Sequence, residues 1–325
     1  MQAFEYANPQ TLQEALALLS AEAGQTEILA GGTDLLSLMK DYLHTPRRVV
    51  NIKNIKELGG IQKTAAGLRI GALVTMDDLA TDPTVHNEYK SLADAAAGIS
   101  SPQIRHMGTA GGDLCQHPRC WYFRQGFGLL AMKDGKSLVP GGENKYHAIF
   151  GGGPAYFVSA SSLGPALAAL GATVKLVSAK GSRELPIAKF FVAPKDEGTR
   201  EIALRPDEIL TEIVVPGGGM KTATYEVRQK EALDWPLAAA AVALKMNGNT
   251  VAAAKVVMGH VAPTPWESAE AAKALVGKPV TAATAEAAGK AAVAGAQPLS
   301  QNAYKVQLAK VAVKRALLDA VKARA

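Results

Sequence analysis

The chain has almost no cysteine: among 325 residues only Cys115 and Cys120 occur. That excludes a disulfide framework, and it excludes any four-cysteine metal or iron–sulfur site built from this chain alone. Histidine is nearly as scarce, and the six present (His44, His86, His106, His117, His147, His260) show no HExxH or comparable metal spacing. No apolar run approaches the ~20 residues a membrane helix needs. The N-terminus, Met1-Gln2-Ala3-Phe4-Glu5-Tyr6, has neither the basic start nor the apolar core of a secretory signal. A cytoplasmic protein with no membrane insertion is expected. Also missing are G-x-G-x-x-G after a strand, G-x-x-x-x-G-K-[ST] and G-x-S-x-G, so there is no argument for a Rossmann dinucleotide site, a P-loop or a hydrolase elbow.

What is present is globular. Hydrophobic residues make up 48% and charged residues 20%, outside the range of disordered chains. The net charge of +6 raises the question of nucleic acid, but the basic residues are scattered. Their densest cluster (Lys305, Lys310, Lys314, Arg315, Lys322, Arg324) carries no interleaved aromatics, so a solvated or partner-facing helix is expected and no nucleic acid. The length exceeds the ~250 to 300 residues at which single cores stop growing, which points to two or three units.

The first unit, residues 1–59, is β-α-β-α-β-like. A short strand at residues 4–6 precedes a capping box of Thr11 and Glu14, then Leu12, Ala15, Leu16 and Leu19 at helical spacing. Strands at residues 27–30 and 48–52 and a helical turn at 55–58 complete it, up to Gly59-Gly60. The second unit, residues 60–217, opens with a strand at 68–74 and a helix start at Thr75 with Asp78, followed by helices near 76–80 and 87–97. Residues 100–114 have no apolar period of either kind and read as a loop lining a site. Residues 116–155 read as a long, mostly irregular insertion. Order resumes at 155–158, with a helix at 163–170 and strands at 173–177 and 208–216. The last unit, residues 218–325, reads as strand 222–228, an alanine-rich helix 235–243, strand 250–259, and helices through 267–296 and at the C-terminus.

The chemistry lies in two similar loops. In Leu29-Ala30-Gly31-Gly32-Thr33-Asp34-Leu35-Leu36 an apolar strand breaks into a glycine pair, turns polar and resumes as helix. Glycines at such a break let consecutive N–H groups face an anion, and a helix starting near Thr33 or Asp34 would add its positive end. Thr109-Ala110-Gly111-Gly112-Asp113-Leu114 repeats the combination of threonine, Gly-Gly and Asp-Leu. Two such loops from adjacent α+β units suit a long diphosphate ligand lying between them, the shape of FAD.

With these loops the sequence resembles the FAD-binding medium subunits of molybdenum hydroxylases, the family of xanthine dehydrogenase, carbon monoxide dehydrogenase and bacterial aldehyde oxidoreductases. The resemblance runs the length of the chain. It is carried by residues 29–36, 103–114, Leu204-Arg205-Pro206-Asp207-Glu208-Ile209-Leu210, and Gly259-His260-Val261-Ala262-Pro263-Thr264-Pro265-Trp266. It implies an α+β fold: a two-subdomain FAD-binding domain of the vanillyl-alcohol-oxidase type, followed by a smaller C-terminal α+β domain. It also implies FAD held by Leu29 to Leu36 and by Thr109, Gly111, Gly112 and Asp113, with Leu210 near the flavin. Electrons would come from the [2Fe–2S] clusters of a small subunit, after substrate oxidation on a molybdopterin-binding large subunit, and leave to an external acceptor. No side-chain acid, base or nucleophile is then required of this chain. Two readings compete: a self-sufficient flavin oxidase, and an assembly subunit that has lost FAD.

The chain departs from the family at three places. One branch, which includes 4-hydroxybenzoyl-CoA reductase, carries a [4Fe–4S] cluster in the insertion, and Cys120 aligns with its first cysteine. The later cluster positions hold glycine, lysine and similar residues, so the insertion is expected without its cluster, with Cys115 and Cys120 as ordinary thiols. Ser162 stands where an aspartate is usual, and Glu226 where many relatives have a flavin-side lysine; both bear on the electrostatic tuning of the flavin.

Overall fold

A computed structural model describes residues 1–99, 101–230 and 234–322. Ser100, at the start of the 100–114 stretch, and Arg324, in the basic cluster, lie outside the described residues.

The N-terminal unit is a three-stranded parallel sheet of β1 (Glu5–Ala7), β2 (Thr26–Leu29) and β3 (Arg48–Asn51), in the order β1-β3-β2. Thr11 caps the Leu12–Ala17 helix by accepting the Glu14 N–H, and Ala15, Val50, Ile52, Ile55 and Leu58 form a small core beneath. β2 runs straight into the first glycine loop.

The second unit is a five-stranded antiparallel sheet. β4 (Ile61–Thr64) and β5 (Gly67–Gly71) form one edge of it. The insertion contributes only the hairpin β6 (Met132–Lys133) and β7 (Lys136–Ser137) and the short helix Trp121–Arg124, and is otherwise irregular. β8 (Thr173–Ser178), β9 (Gly181–Pro186) and β10 (Ile209–Pro216) complete the sheet in the order β4-β5-β10-β8-β9. The helix expected over 87–97 is two helices, Pro83–Glu88 and Lys90–Ala97, because Asp82 caps a new start at Pro83 and Tyr89 leaves helical geometry.

Residues 101–114 do not form a loop. They carry the helices Pro102–Met107 and Ala110–Cys115, capped by Ser101 and Thr109. The first buries none of its residues, so it has no apolar period to display. Likewise residues 155–158 belong to no helix or sheet.

The C-terminal sheet is β11 (Lys221–Arg228), β12 (Pro236–Asn247), β13 (Thr250–Gly259) and β14 (Trp266–Glu267), covered by helices Ala269–Leu275, Ala282–Ala292 and Tyr304–Val321. The alanine-rich segment expected as helix 235–243 is thus strand β12. Alanine's helix propensity is a weak preference that tertiary packing overrides. Here β12 lies between β11 and β13 with helices on both faces. Ala238, Ala240, Val242 and Leu244 enter the C-terminal core, whereas Ala241 and Ala243 enter the core of the second unit beside the Leu163–Leu170 helix. Small side chains let both layers approach the strand closely.

Candidate functional site

β2 and the Leu35–Lys40 helix hold the first glycine loop between them. Gly31 touches the neighbouring unit so closely that a Cβ there would lie 1.8 Å from the Met107 carbonyl oxygen. Gly32 has a φ of +73°, a left-handed conformation that costs a side chain about 1 to 2 kcal/mol. The two glycines thus serve different ends, close approach at Gly31 and the turn at Gly32. Leu36 donates its N–H to the Gly32 carbonyl at 3.3 Å, and among the described residues the N–H groups of Gly31 to Leu35 meet no protein acceptor. Five consecutive free amides on a loop that lines a large cavity are donors an anion could use.

The second loop resembles the first in sequence but spends its amides on the protein. Ala110 and Gly111 donate to the carbonyls of Val74 and Ala72 (2.8 and 2.9 Å), and Gly112 donates to Thr109 Oγ1 (3.1 Å). A Cβ on Gly111 would sit 2.9 Å from that of Ala72. These glycines bring the Ala110–Cys115 helix against β5's extension, setting the wall opposite the first loop.

Two cavities meet at these loops. The larger, about 470 Å³, is lined by Ala30 to Leu35, Thr109, Gly111 and Gly112, with the third motif, Leu204 to Pro206 and Glu208 to Leu210, on its far side. The smaller, about 100 Å³, is lined by Thr33, Asp34, Thr109, Gly112, Asp113 and Ser162, together with Arg119 and Trp235. Thr33, Asp34, Thr109, Gly112 and Gln116 border both. Of the expected site residues, Leu29 and Leu36 line neither cavity; their side chains close over Gly32. Leu210 and Ser162 lie in different cavities. The fourth motif, 259–266, also stands away from both: its Val261 and Ala262 carbonyls accept the N–H groups of Ile149, Phe150 and Ser159, pinning the returning end of the insertion.

Neither loop aspartate is free. Asp34 accepts from Arg119 Nη1 (2.5 Å), Arg124 Nη2 (2.9 Å) and the His117 N–H (2.9 Å). Burial pushes its carboxyl up, but the two guanidinium groups and this N–H outweigh it and hold the pKa below the usual carboxylate value. Asp113 accepts from Ser161 Oγ (2.5 Å) and the Leu163 N–H (3.0 Å), anchoring the start of the Leu163–Leu170 helix. Burial raises its pKa. Ser162 Oγ donates to Glu226 Oε1 (3.0 Å), and Glu226, itself raised by burial, pairs with Arg228.

The large cavity carries two further pairs, His44 Nδ1 with Glu27 Oε1 and His117 Nδ1 with Glu201 Oε1, each at 2.8 Å. Burial pushes Glu201 up, but the paired His117 imidazole and the Arg200 guanidinium outweigh it and bring the carboxyl to about 2. His44 and His117 meet edge to face at 4.6 Å. These residues and Arg119, Arg124 and Trp235 carry no local motif; in the sequence Arg119 and Arg124 merely flank Cys120. Cys120 Sγ lies 3.2 Å from His147 Nε2, and burial pushes Cys115 up to about 12, so it is a thiol at neutral pH. Among the described residues no group of three or more His, Cys, Asp or Glu side chains is arranged to hold a metal.

Comparison with known proteins agrees with this arrangement. The pattern of the FAD-binding domain in molybdopterin dehydrogenase matches residues 2–218, and that of the carbon monoxide dehydrogenase flavoprotein C-terminal domain matches 223–320. The carbon monoxide dehydrogenase medium chain of Hydrogenophaga pseudoflava is 32% identical, covering 97% of this chain and 96% of its own. The aldehyde oxidoreductase FAD-binding subunit PaoB of Escherichia coli is 31% identical over 98% of this chain and 99% of its own. A solved structure of the Hydrogenophaga carbon monoxide dehydrogenase superposes with a TM-score of 0.76 over 98% of this chain and 97% of that one. Quinoline 2-oxidoreductase from Pseudomonas putida 86 superposes equally, also at 0.76, with 27% identity over 98% of this chain and 97% of that one. The chain therefore belongs to the FAD-binding medium subunits of the molybdopterin dehydrogenases, the family of the carbon monoxide dehydrogenase flavoprotein.

Proposed function

We propose that this chain holds FAD across the two cavities, as the electron-transfer subunit of a molybdenum-containing hydroxylase complex. The observation that carries this is the row of unpaired amides from Gly31 to Leu35, on a loop that borders both cavities. The pyrophosphate belongs on those amides. The adenosine then enters the larger cavity, where Glu27 and Glu201 supply acceptors for ribose hydroxyls. The ring system takes the smaller cavity, which leaves Leu210, on the larger one, beside the adenosine rather than the flavin; the rim of the smaller cavity carries the exposed apolar side chains of Ile104 and Trp235, next to exposed Met107. An exposed apolar rim suits a surface that another subunit covers. Bound FAD supplies the redox chemistry, taking electrons from a [2Fe–2S] subunit and passing them to an external acceptor.

The side chains position and exclude rather than catalyse. Around the smaller cavity Asp34, Asp113 and Arg119 are committed to ion pairs or helix anchoring, and Asp234 accepts the N–H groups of Lys230 and Trp235. No titratable side chain described there is left to act as acid or base on an organic substrate, which favours an electron carrier over a self-sufficient oxidase. The test is purification of the full-length chain with its genomic neighbours. We expect one FAD per chain and co-purification with a molybdopterin-binding large subunit and a [2Fe–2S] small subunit. A chain without flavin, or one that oxidises an organic substrate unaided, overturns the assignment.

A further inference from the structure

We infer that Arg119 and Arg124 of the insertion are positioning residues for FAD, acting through Asp34 to make the first glycine loop fit for an anion. The inference rests on the assignment of that loop to the pyrophosphate. A carboxylate in an anion-binding turn is a liability, because its charge opposes that of the ligand. Asp34 lies among the five free amides, and one of its oxygens accepts both Arg119 Nη1 and Arg124 Nη2 while the other accepts the His117 N–H. Two cations against one carboxylate turn the local balance positive, and the three charge-assisted bonds fix the loop in place.

Arg119 is also the point where three parts of the protein join. Its Nη2 donates to Gln116 Oε1 (2.9 Å), and Gln116 Nε2 donates to Asp113 Oδ1 (2.9 Å) on the helix of the second loop. Its guanidinium carbon stands 4.5 Å from the ring centroid of Trp235, which leads into β12. Arg124 is braced in turn by donating Nε to the Pro118 carbonyl (3.1 Å). The short helix that carries it is pinned at the far side: Trp121 Nε1 donates to the Glu143 carbonyl (3.1 Å), and the Glu143 N–H donates to the Tyr122 hydroxyl (2.7 Å). That segment is bound to the C-terminal helix region through Asn302 Nδ2 and Lys305 Nζ, both donating to the His147 carbonyl (3.1 and 3.2 Å). The insertion is thus a strap anchored on the C-terminal domain whose two arginines grip the cofactor loop, a role that needs no iron–sulfur cluster.

The experiment strips FAD from the full-length chain and titrates FAD back, following flavin fluorescence, with the thermal midpoint of the apo-protein recorded as a check on folding. Hydrogen bonds to charged groups are worth about 1.5 to 3 kcal/mol, so the double variant Arg119→Gln, Arg124→Gln is expected to bind FAD about 10- to 100-fold more weakly. Adding Asp34→Asn to it removes the carboxylate left without its arginines and is expected to recover at least about tenfold of that loss. A merely structural role for the arginines predicts no such recovery, and further weakening on adding Asp34→Asn overturns the inference. If the double variant does not fold, Arg124→Gln alone, with and without Asp34→Asn, makes the same comparison. Wild-type chain that takes up no FAD defeats the functional reading; wild-type and double variant binding equally tightly defeats only the strap.

Discussion

Replacing Gly31 with alanine adds a single methyl group, and the structure says what it meets. The new carbon lies 1.8 Å from the Met107 carbonyl oxygen, 2.6 Å from the carbonyl carbon and 3.2 Å from the Gly108 Cα, all backbone atoms that no rotamer change can move aside. To restore van der Waals distance the first loop must part from the Pro102–Met107 helix by on the order of 1 Å, and overpacking of this kind costs about 1 to 3 kcal/mol. Because the strain falls on a half-buried loop outside the hydrophobic core, the core stays intact and the thermal midpoint of the apo-protein is expected to fall by only about 2 to 10 °C. The shift displaces the amides of Gly31 to Leu35, and losing two N–H bonds to a charged phosphate costs about 3 to 6 kcal/mol. That is 100-fold or more in FAD affinity, enough for the chain to be purified without yellow colour. Gly32→Ala provides the internal comparison. Its methyl meets only the flexible ends of Leu29 and Leu36, at 3.1 and 3.2 Å, so its cost is the left-handed backbone, about 1 to 2 kcal/mol. The assay is FAD per chain on purification, then affinity by reconstitution. Equal FAD retention in Gly31→Ala and wild type, or a larger loss in Gly32→Ala, would refute the reasoning.

Other outcomes follow from the same contacts. Glu201 has its carboxyl depressed to about 2 against an ordinary 4.5, so it stabilises the fold fully above pH 4.5 and that contribution disappears as the pH falls towards 2. The difference is about 3 kcal/mol, and Glu201→Gln should flatten the acid limb of stability measured by urea unfolding between pH 5 and 3. Thr109→Ala removes the cap on the Gly112 N–H and should cost about 1 kcal/mol while weakening FAD, both measurable on one preparation. Ala241→Leu forces a large side chain between β12 and the core of the second unit and should destabilise by about 1 to 3 kcal/mol, read as a lower denaturation midpoint. Iron analysis of the isolated chain should give no cluster stoichiometry; four irons per chain would contradict the reading of the insertion.

The first loop was legible because its glycines, strand and helix are contiguous and each announces its own geometry. Its partner was legible only as a likeness. Nothing in Thr109 to Asp113 says that Ala110 and Gly111 give their N–H groups to Val74 and Ala72, since those acceptors lie more than thirty residues away. β12 was misread for a related reason. A strand buried on both faces has no alternation of polar and apolar residues, and a run of alanines then carries only its helical preference. The strap was invisible because its two arginines, separated by four residues, gain meaning only from Asp34, which is 85 positions before Arg119. Short contiguous backbone features could be read ahead of the structure; those made by distant partners could not.

The alternation of β12 between two interiors has a consequence for how this protein can be divided. Cutting the chain near Gly217 would leave the Leu163–Leu170 helix, every residue of which is buried, without the alanine face that covers part of it. The remaining piece would carry the cofactor loops but present a bare apolar flank, and the excised piece would present its matching side. Neither half is a module in the sense of something that can be swapped between proteins unchanged. A recombination point that looks clean on paper, in a glycine-rich turn between two named domains, would require both fragments to be resurfaced before either stayed in solution.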